Sequence, residues 1–298
     1  MMPVENSGPM NANGLPDETR PGQVRLRTAN LARALDFYQQ VLGLSVISTN
    51  GSATALSAAR QPRAMLVLEH DPHATPHPRR ATGLYHFAIL YPGRPELARA
   101  VQRLSRHGHP ILGAADHIVS EAIYLADPDG NGVELYADRP RSHWTWRDEQ
   151  VTMATEALDL DDLLAAAHKS EAMDAPATAS LGHIHLHVAD LAEAERFYHG
   201  LFGLDVTQRS YPGALFMSAG GYHHHLAVNT WAGKTPPPPG SVGLISYRFE
   251  VPGATLLKKL NERANSARIE TRYAPDQNGS EILQVRDPSG SWLEIQCP

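Results

Sequence analysis

The apolar positions near the start of the chain change period once within fifty residues. Residues 24–28 read as a short strand. From Leu31 the apolar residues Leu31, Ala34, Leu35, Tyr38, Val41 and Leu42 recur at intervals of three and four, which marks one face of a helix over residues 31–41. Thr28 or Asn30 supplies its N-cap, Gly43 ends it, and residues 44–47 open a strand. Residues 53–58 and 64–69 predict two more strands, so the unit is βαβββ. A second unit starts with a strand at 84–90 and a helix at 95–107 followed by Gly108. Its later strands, 122–125 and 132–136, are joined by Asp127-Pro128-Asp129-Gly130, a sequence with hairpin turn chemistry. Strands at 182–188 and 242–251 begin a third and a fourth unit.

The halves of the chain repeat one another. Leu31 through Tyr38, followed by Leu42-Gly43-Leu44, returns as Leu191 through Tyr198, followed by Phe202-Gly203-Leu204. Asp127-Pro128-Asp129-Gly130 returns as Asp287-Pro288-Ser289-Gly290. Both pairs are offset by 160 positions (191 − 31 and 287 − 127). Two landmarks sharing one offset identify an internal duplication. The expected organisation is a disordered tail at 1–22, a first domain of modules one and two at 23–137, a connector at 138–180 with a helix at 161–168, and a second domain of modules three and four at 181–298. Residues 236–240, Pro-Pro-Pro-Pro-Gly in part, form a stiff spacer between modules three and four.

Bulk composition narrows the function classes. A net charge of −6 leaves no basic footprint for nucleic acid. One cysteine, Cys297, excludes a disulfide framework and suits a reducing, cytoplasmic setting. The first 21 residues lack an apolar signal region, and no run is apolar for the roughly 18 residues that a membrane span needs, so no membrane partner is expected. Histidine stands out. There are 16, clustered as Gly182-His183-Ile184-His185-Leu186-His187 and Tyr222-His223-His224-His225, which points to metal or proton chemistry.

Four βαβββ modules carrying Phe37-Tyr38-Gln39-Gln40-Val41-Leu42-Gly43-Leu44 after a first strand, and Asp127 through Glu134 before a last one, resemble the vicinal oxygen chelate superfamily of glyoxalases, bleomycin-resistance proteins and extradiol dioxygenases. Gly83-Leu84-Tyr85-His86-Phe87-Ala88 and Gly220-Gly221-Tyr222-His223-His224-His225 are most similar to its catechol-2,3-dioxygenase branch. The resemblance implies an α+β fold in which paired modules form curved mixed sheets, each pair closing into a cup. In extradiol enzymes of this kind one module gives a His on its first strand and another His on its fourth, and its partner gives a His, a Tyr and a Glu.

Laid on that pattern, module three offers His183 and the triplet His223 to His225. Module two offers His86, Glu134, Tyr124 ten positions before Glu134, and His117 upstream. Module four keeps Glu294 but has Ser246 and Gln284 where the His and Tyr should be. Module one has Gln23 at its first strand and Met65 and Leu66 on its fourth. Pairing two with three therefore completes one cup: His86, Glu134 and His183 as metal ligands, with His224 as acid/base and Tyr124 and His117 beside the substrate. Modules one and four would form a degenerate cup. The alternative places the ligands in the second half alone, with His183, His223 or His225, and Glu294.

Two imidazoles and a carboxylate leave coordination positions open, the arrangement of non-haem iron oxygenases. The expected function is an Fe(II)-dependent extradiol dioxygenase, with Mn(II) as the alternative ion, acting on a small aromatic diol and O₂. Two other readings compete: a glyoxalase-like metal-dependent isomerase or lyase, which ordinarily uses two carboxylates, and a metal-free protein that binds or sequesters a small aromatic. Association with further copies of the chain is left open.

Overall fold

A computed structural model describes residues 14–167, 174–275 and 280–297. Module one comprises β1 (Arg20–Thr28), α1 (Leu31–Asp36), β2 (Leu44–Asn50), β3 (Ala53–Ala58) and β4 (Leu66–His70). Module two comprises β5 (Gly83–Tyr91), α2 (Arg94–Arg106), β6 (Gly113–Asp116), β7 (Ser120–Ala126) and β8 (Gly132–Asp138). The connector holds a two-stranded ribbon, β9 (Trp146–Arg147) and β10 (Gln150–Val151), and α3 (Leu160–Ala165). Module three is β11 (Ser180–His187), α4 (Leu191–Glu195), β12 (Asp205–Gln208), β13 (Ala214–Ser218) and β14 (Leu226–Asn229). Module four is β15 (Gly243–Glu250), α5 (Ala254–Ser266), β16 (Thr271–Pro275), β17 (Glu281–Arg286) and β18 (Trp292–Gln296).

Two eight-stranded sheets result, and each takes one module from either half. One runs β16-β17-β18-β15-β1-β4-β3-β2 and the other β12-β13-β14-β11-β5-β8-β7-β6. Modules one and four share the first; modules two and three share the second. The seams are the antiparallel pairs β1·β15 and β5·β11. The 160-residue offset maps β1 onto β11 and β5 onto β15, so it exchanges the seams. The linkers obey the same rule: the bridges Thr75↔Ser241 and Ala81↔Thr235 swap under it. The duplication is therefore an internal pseudo-two-fold, as in an isologous dimer joined into one chain.

Alternation along the strands separates core from cup. Phe87, Ile89 and Tyr91 of β5, Val133 and Leu135 of β8, and Ile184 and Leu186 of β11 join one apolar core with residues of the helices and of the other sheet. Their neighbours His86, Ala88, Glu134, His183 and His185 lie on the opposite, concave face. The two repeated sequence motifs bolt across the molecule. Tyr38 Oη donates to Asp127 Oδ2 at 2.8 Å, and Tyr198 Oη to Asp287 Oδ2 at 3.0 Å. Asp127 Oδ1 also accepts the backbone N–H groups of Asp129 and Asn131, so it forms the turn as expected.

Three expectations need correction. The helix over 31–41 is an α-helix through Asp36, capped by Asn30, and then a π-turn over Phe37–Val41; the repeat does the same over Arg196–Phe202. Those wide turns contain the two tyrosines that reach the aspartates. Residues 14–22, assigned to a disordered tail, are packed. Leu15 is buried and donates its N–H to the Gly203 carbonyl at 3.0 Å, and β1 starts at Arg20. Residues 1–13 lie outside the described residues. The connector helix is shorter than 161–168: α3 ends at Ala165, and His168 lies outside the described residues.

β5 and β8 run in parallel register with His86 opposite Gly132. A Cβ on Gly132 would come within 2.1 Å of the Tyr85 carbonyl oxygen, a backbone atom that cannot yield. Gly132→Ala is expected to push β8 from β5 and lower unfolding free energy by about 1–3 kcal/mol, the range for overpacking a tight core. A urea midpoint unchanged from wild type would contradict that close approach.

Candidate metal and substrate site

The seam between β5 and β11 brings the two halves' histidines together. Ala88 of β5 lies opposite His183 on one side and Glu134 on the other, so these residues share the concave face. His86 and Glu134 approach at 3.0 Å (Nε2 to Oε2), His183 and Glu134 at 3.1 Å (Nε2 to Oε2), and the two Nε2 atoms at 3.3 Å. All three residues are buried. Among the described residues they form the cluster whose donor atoms could hold a metal ion. Donors about 2.1 Å from an octahedral ion and at right angles to each other stand about 3.0 Å apart, so the observed triangle fits one octahedral face.

Charge supports the same reading. Burial alone would raise Glu134, but the charge and hydrogen bonding of His183 and His86 hold it well below the usual carboxylate range. Burial lowers His183 to about 4, against the opposing pull of Glu134. A neutral His183 beside a carboxylate presents a lone pair to a cation, the state metal binding requires.

The remaining predicted residues surround this triad. His224 packs on His183 with ring centroids 4.2 Å apart. Its Nδ1 lies 2.8 Å from His223 Nδ1, and His223 Nε2 lies 3.0 Å from Asp138 Oδ1, which ties His224 to a carboxylate outside the cup. Burial, with neighbouring imidazoles, lowers the pKa of His224 well below that of free histidine. Tyr124 lies opposite Glu134 in register, and its hydroxyl is 2.6 Å from His117 Nε2. His117 Nδ1 is 2.7 Å from the Ala154 carbonyl, which can only accept, so Nδ1 carries the proton and Nε2 accepts from Tyr124. The Tyr124 oxygen is left to accept a bond from a ligand hydroxyl. Burial and Glu134 raise the Tyr124 pKa well above 10.0, which keeps it a neutral phenol.

His185 lines the cup but is tied to Asn229, whose Nδ2 lies 2.9 Å from His185 Nε2. A cavity of about 270 Å³ opens over the triad. Tyr85, Phe216, Tyr211, Trp231, Met153 and Thr155 wall it, and none of these was anticipated from the sequence. Met153 and Thr155 come from the connector, outside every module, so module matching carried no signal for them.

The alternative ligand set is not brought together. His183 and Glu294 belong to different sheets. His225 stacks on Tyr222 at 4.7 Å, and its Nδ1 accepts the Ala219 backbone N–H at 3.2 Å. The other cup explains why Glu294 is engaged. Arg248, at the place of Ala88, donates to Glu294 Oε2 from Nη2 at 2.7 Å and from Nε at 3.0 Å. Gln284, at the place of Tyr124, donates to Glu294 Oε1 at 3.1 Å. A guanidinium there does what a metal would do beside Glu134.

Two outcomes follow. Arg248→Met strands a buried carboxylate and is expected to cost about 2–3 kcal/mol, at the low end for a broken ion pair because the arginine is partly exposed; urea unfolding measures it, and an unchanged midpoint refutes it. Burial holds His225 neutral in the fold, its pKa lowered from 6.5 to about 3. The unfolded chain binds that proton more readily, so its contribution to stability is present above pH 6.5 and is lost as pH falls toward 3. His225→Gln should therefore show a shallower loss of melting temperature on acidification than wild type. Parallel pH profiles would contradict this.

A sequence model of the glyoxalase/bleomycin resistance protein/dioxygenase superfamily matches residues 20–135 and 180–295. A catechol-2,3-dioxygenase of Bacillus subtilis (strain 168) is 42% identical over 284 residues, which is 93% of this chain and 97% of that protein. Among solved structures, one from Bacillus subtilis subsp. subtilis str. 168 superposes with a TM-score of 0.67 at 12% identity, covering 95% of this chain and 86% of the other. Glyoxalase I of Zea mays superposes with a TM-score of 0.61 at 14% identity, covering 94% and 92%. The last two likenesses concern the fold. With both halves matched and the four-module architecture in place, the chain belongs to the glyoxalase/bleomycin resistance protein/dioxygenase superfamily.

Proposed function

We propose that this chain is an Fe(II)-dependent extradiol dioxygenase that opens the ring of a small catechol, with His86, Glu134 and His183 as the metal ligands. The observation that carries the reading is the triangle of His86 Nε2, His183 Nε2 and Glu134 Oε2, with sides of 3.0 to 3.3 Å. Identity of 42% to a catechol-2,3-dioxygenase over most of both chains supports the reaction class. When bound, ferrous iron supplies Lewis acidity and a path for electrons between catechol and O₂. Mn(II) suits the same donors.

The chain's own residues supply position and proton control. His224 stands against a ligand histidine and takes the proton of a catechol hydroxyl. Tyr124, its own proton committed to His117, accepts a hydrogen bond from the diol. The aromatic walls surround the reacting ring with apolar surface. A glyoxalase-like reaction ordinarily has a second carboxylate beside two nitrogens, and the cluster found among the described residues has one. A sequestering protein needs no such cluster. The lone cysteine suits a cytoplasmic enzyme, and among the described residues no helix is long and apolar enough to cross a membrane.

Anaerobic loading with Fe(II), then catechol and air, is expected to yield a coloured ring-opened semialdehyde. No absorbance change across a panel of catechols overturns the reading. His224→Gln should keep its iron while kcat falls by roughly 10²–10⁴, the usual contribution of a positioned acid/base. Wild-type turnover in that variant would remove His224 from the mechanism.

A further inference from the structure

We propose that the cup selects an uncharged catechol with apolar substituents, and that the connector strap at residues 150–156 sets this preference; the inference rests on the dioxygenase reading above. The walls are built for an apolar ring. Tyr85, Tyr211, Phe216, Trp231 and Met153 face a cavity of about 270 Å³, just below the ordinary span of about 300–1,000 Å³ for small-molecule sites. That favours one ring with short substituents over an extended ligand.

The electrostatics is selective. Among the described residues, no lysine or arginine lines the cavity, and its one carboxylate is Glu134 of the triad. Three arginines in the sequence around modules two and three are engaged in ion pairs. Arg139 binds Asp116 at 2.5 Å and Glu121 at 3.3 Å, Arg94 binds Glu121 at 2.7 Å, and Arg209 binds Glu195 at 3.1 Å. A carboxylate on the ring would lose its hydration and find no counter-ion, since the metal's charge is taken by the diol oxygens. An alkyl group would gain contact with aromatic faces instead.

The strap is what closes this wall. Its C-terminal end is fixed to module two: the backbones of Glu156 and Asp116 exchange bonds at 2.9 and 3.0 Å, and Ala154 holds His117. Its N-terminal end is fixed to module three, where Gln208 Nε2 donates to the Val151 carbonyl at 2.8 Å and Arg209 donates its N–H to Gln150 at 2.9 Å. Between these anchors Met153 and Thr155 enter the cavity lining. The strap thus spans both modules and adds the two wall residues that belong to neither.

The test compares 3-methylcatechol and 4-methylcatechol with 3,4-dihydroxybenzoate at pH 7. In the iron-loaded enzyme, kcat/KM for a methylcatechol should exceed that for the carboxylate at least about a hundredfold. In the metal-free protein, quenching of tryptophan fluorescence, absent in Trp231→Phe, should order the ligands the same way. Met153→Arg, with Thr155→Arg as the second variant, should narrow the ratio at least tenfold by supplying the missing cation. Equal or better use of the carboxylate, or ratios unmoved in both variants, overturns the inference. Turnover of none of the three defeats the dioxygenase reading, while the fluorescence order still decides the cavity's preference.

Discussion

A carboxylate on the inner face of a buried strand has to be neutralised, and the two cups of this protein do so in different ways. Glu134 and Glu294 occupy equivalent positions in the duplication. Beside Glu294 the guanidinium of Arg248 supplies the positive charge from within the chain. Beside Glu134 the equivalent position is Ala88, and the neighbours are two imidazoles whose nitrogens point at the same oxygen. Burial drives the His183 imidazole toward neutrality, and among the described residues no lysine or arginine lines this cup to do beside Glu134 what Arg248 does beside Glu294. Arg248 in place of Ala88, together with Ser246 and Gln23 in place of His86 and His183, separates the cup that carries its own cation from the one suited to a metal ion.

The pseudo-two-fold decides where this contrast falls. Because the halves exchange modules, each seam joins strands far apart in sequence, and His86 meets His183 only across β5 and β11. Pairing within each half would have put Ser246 with His183 and Gln23 with His86. The tyrosine-to-aspartate bolts, Tyr38 to Asp127 and Tyr198 to Asp287, cross between modules of different sheets and hold the exchanged arrangement from the convex side. The cup is therefore positioned by the same repeated residues that reveal the duplication.

Much of this was legible in the sequence because it depends on period and spacing. Helical spacing from Leu31, alternation in the strands, and the ten-residue interval from Tyr124 to Glu134 are local patterns, and the register of β7 against β8 preserves that interval as a cross-strand pair. The grouping of His86, Glu134 and His183 was not a matter of spacing alone: it came from matching the modules to the pattern of the family the chain resembles. What stayed hidden depends on packing between distant segments. Arg248 reads as a surface cation until its partner strand is known. Asp138 and His223 form a hydrogen-bonded chain only after β8 and the β13–β14 loop meet. Met153 and Thr155 belong to a connector with no repeat to compare. Leu15 looked like part of a polar tail because its pocket is supplied by Gly203 and its neighbours, almost two hundred positions away.

The central claim is that one cup, and one alone, grips a divalent ion between the middle modules. Counting iron per chain after anaerobic loading, by native mass spectrometry of wild type and His86→Ala, tests it most directly. The account predicts one ion in wild type and none in the variant. Two ions in wild type, or one retained without His86, would contradict it.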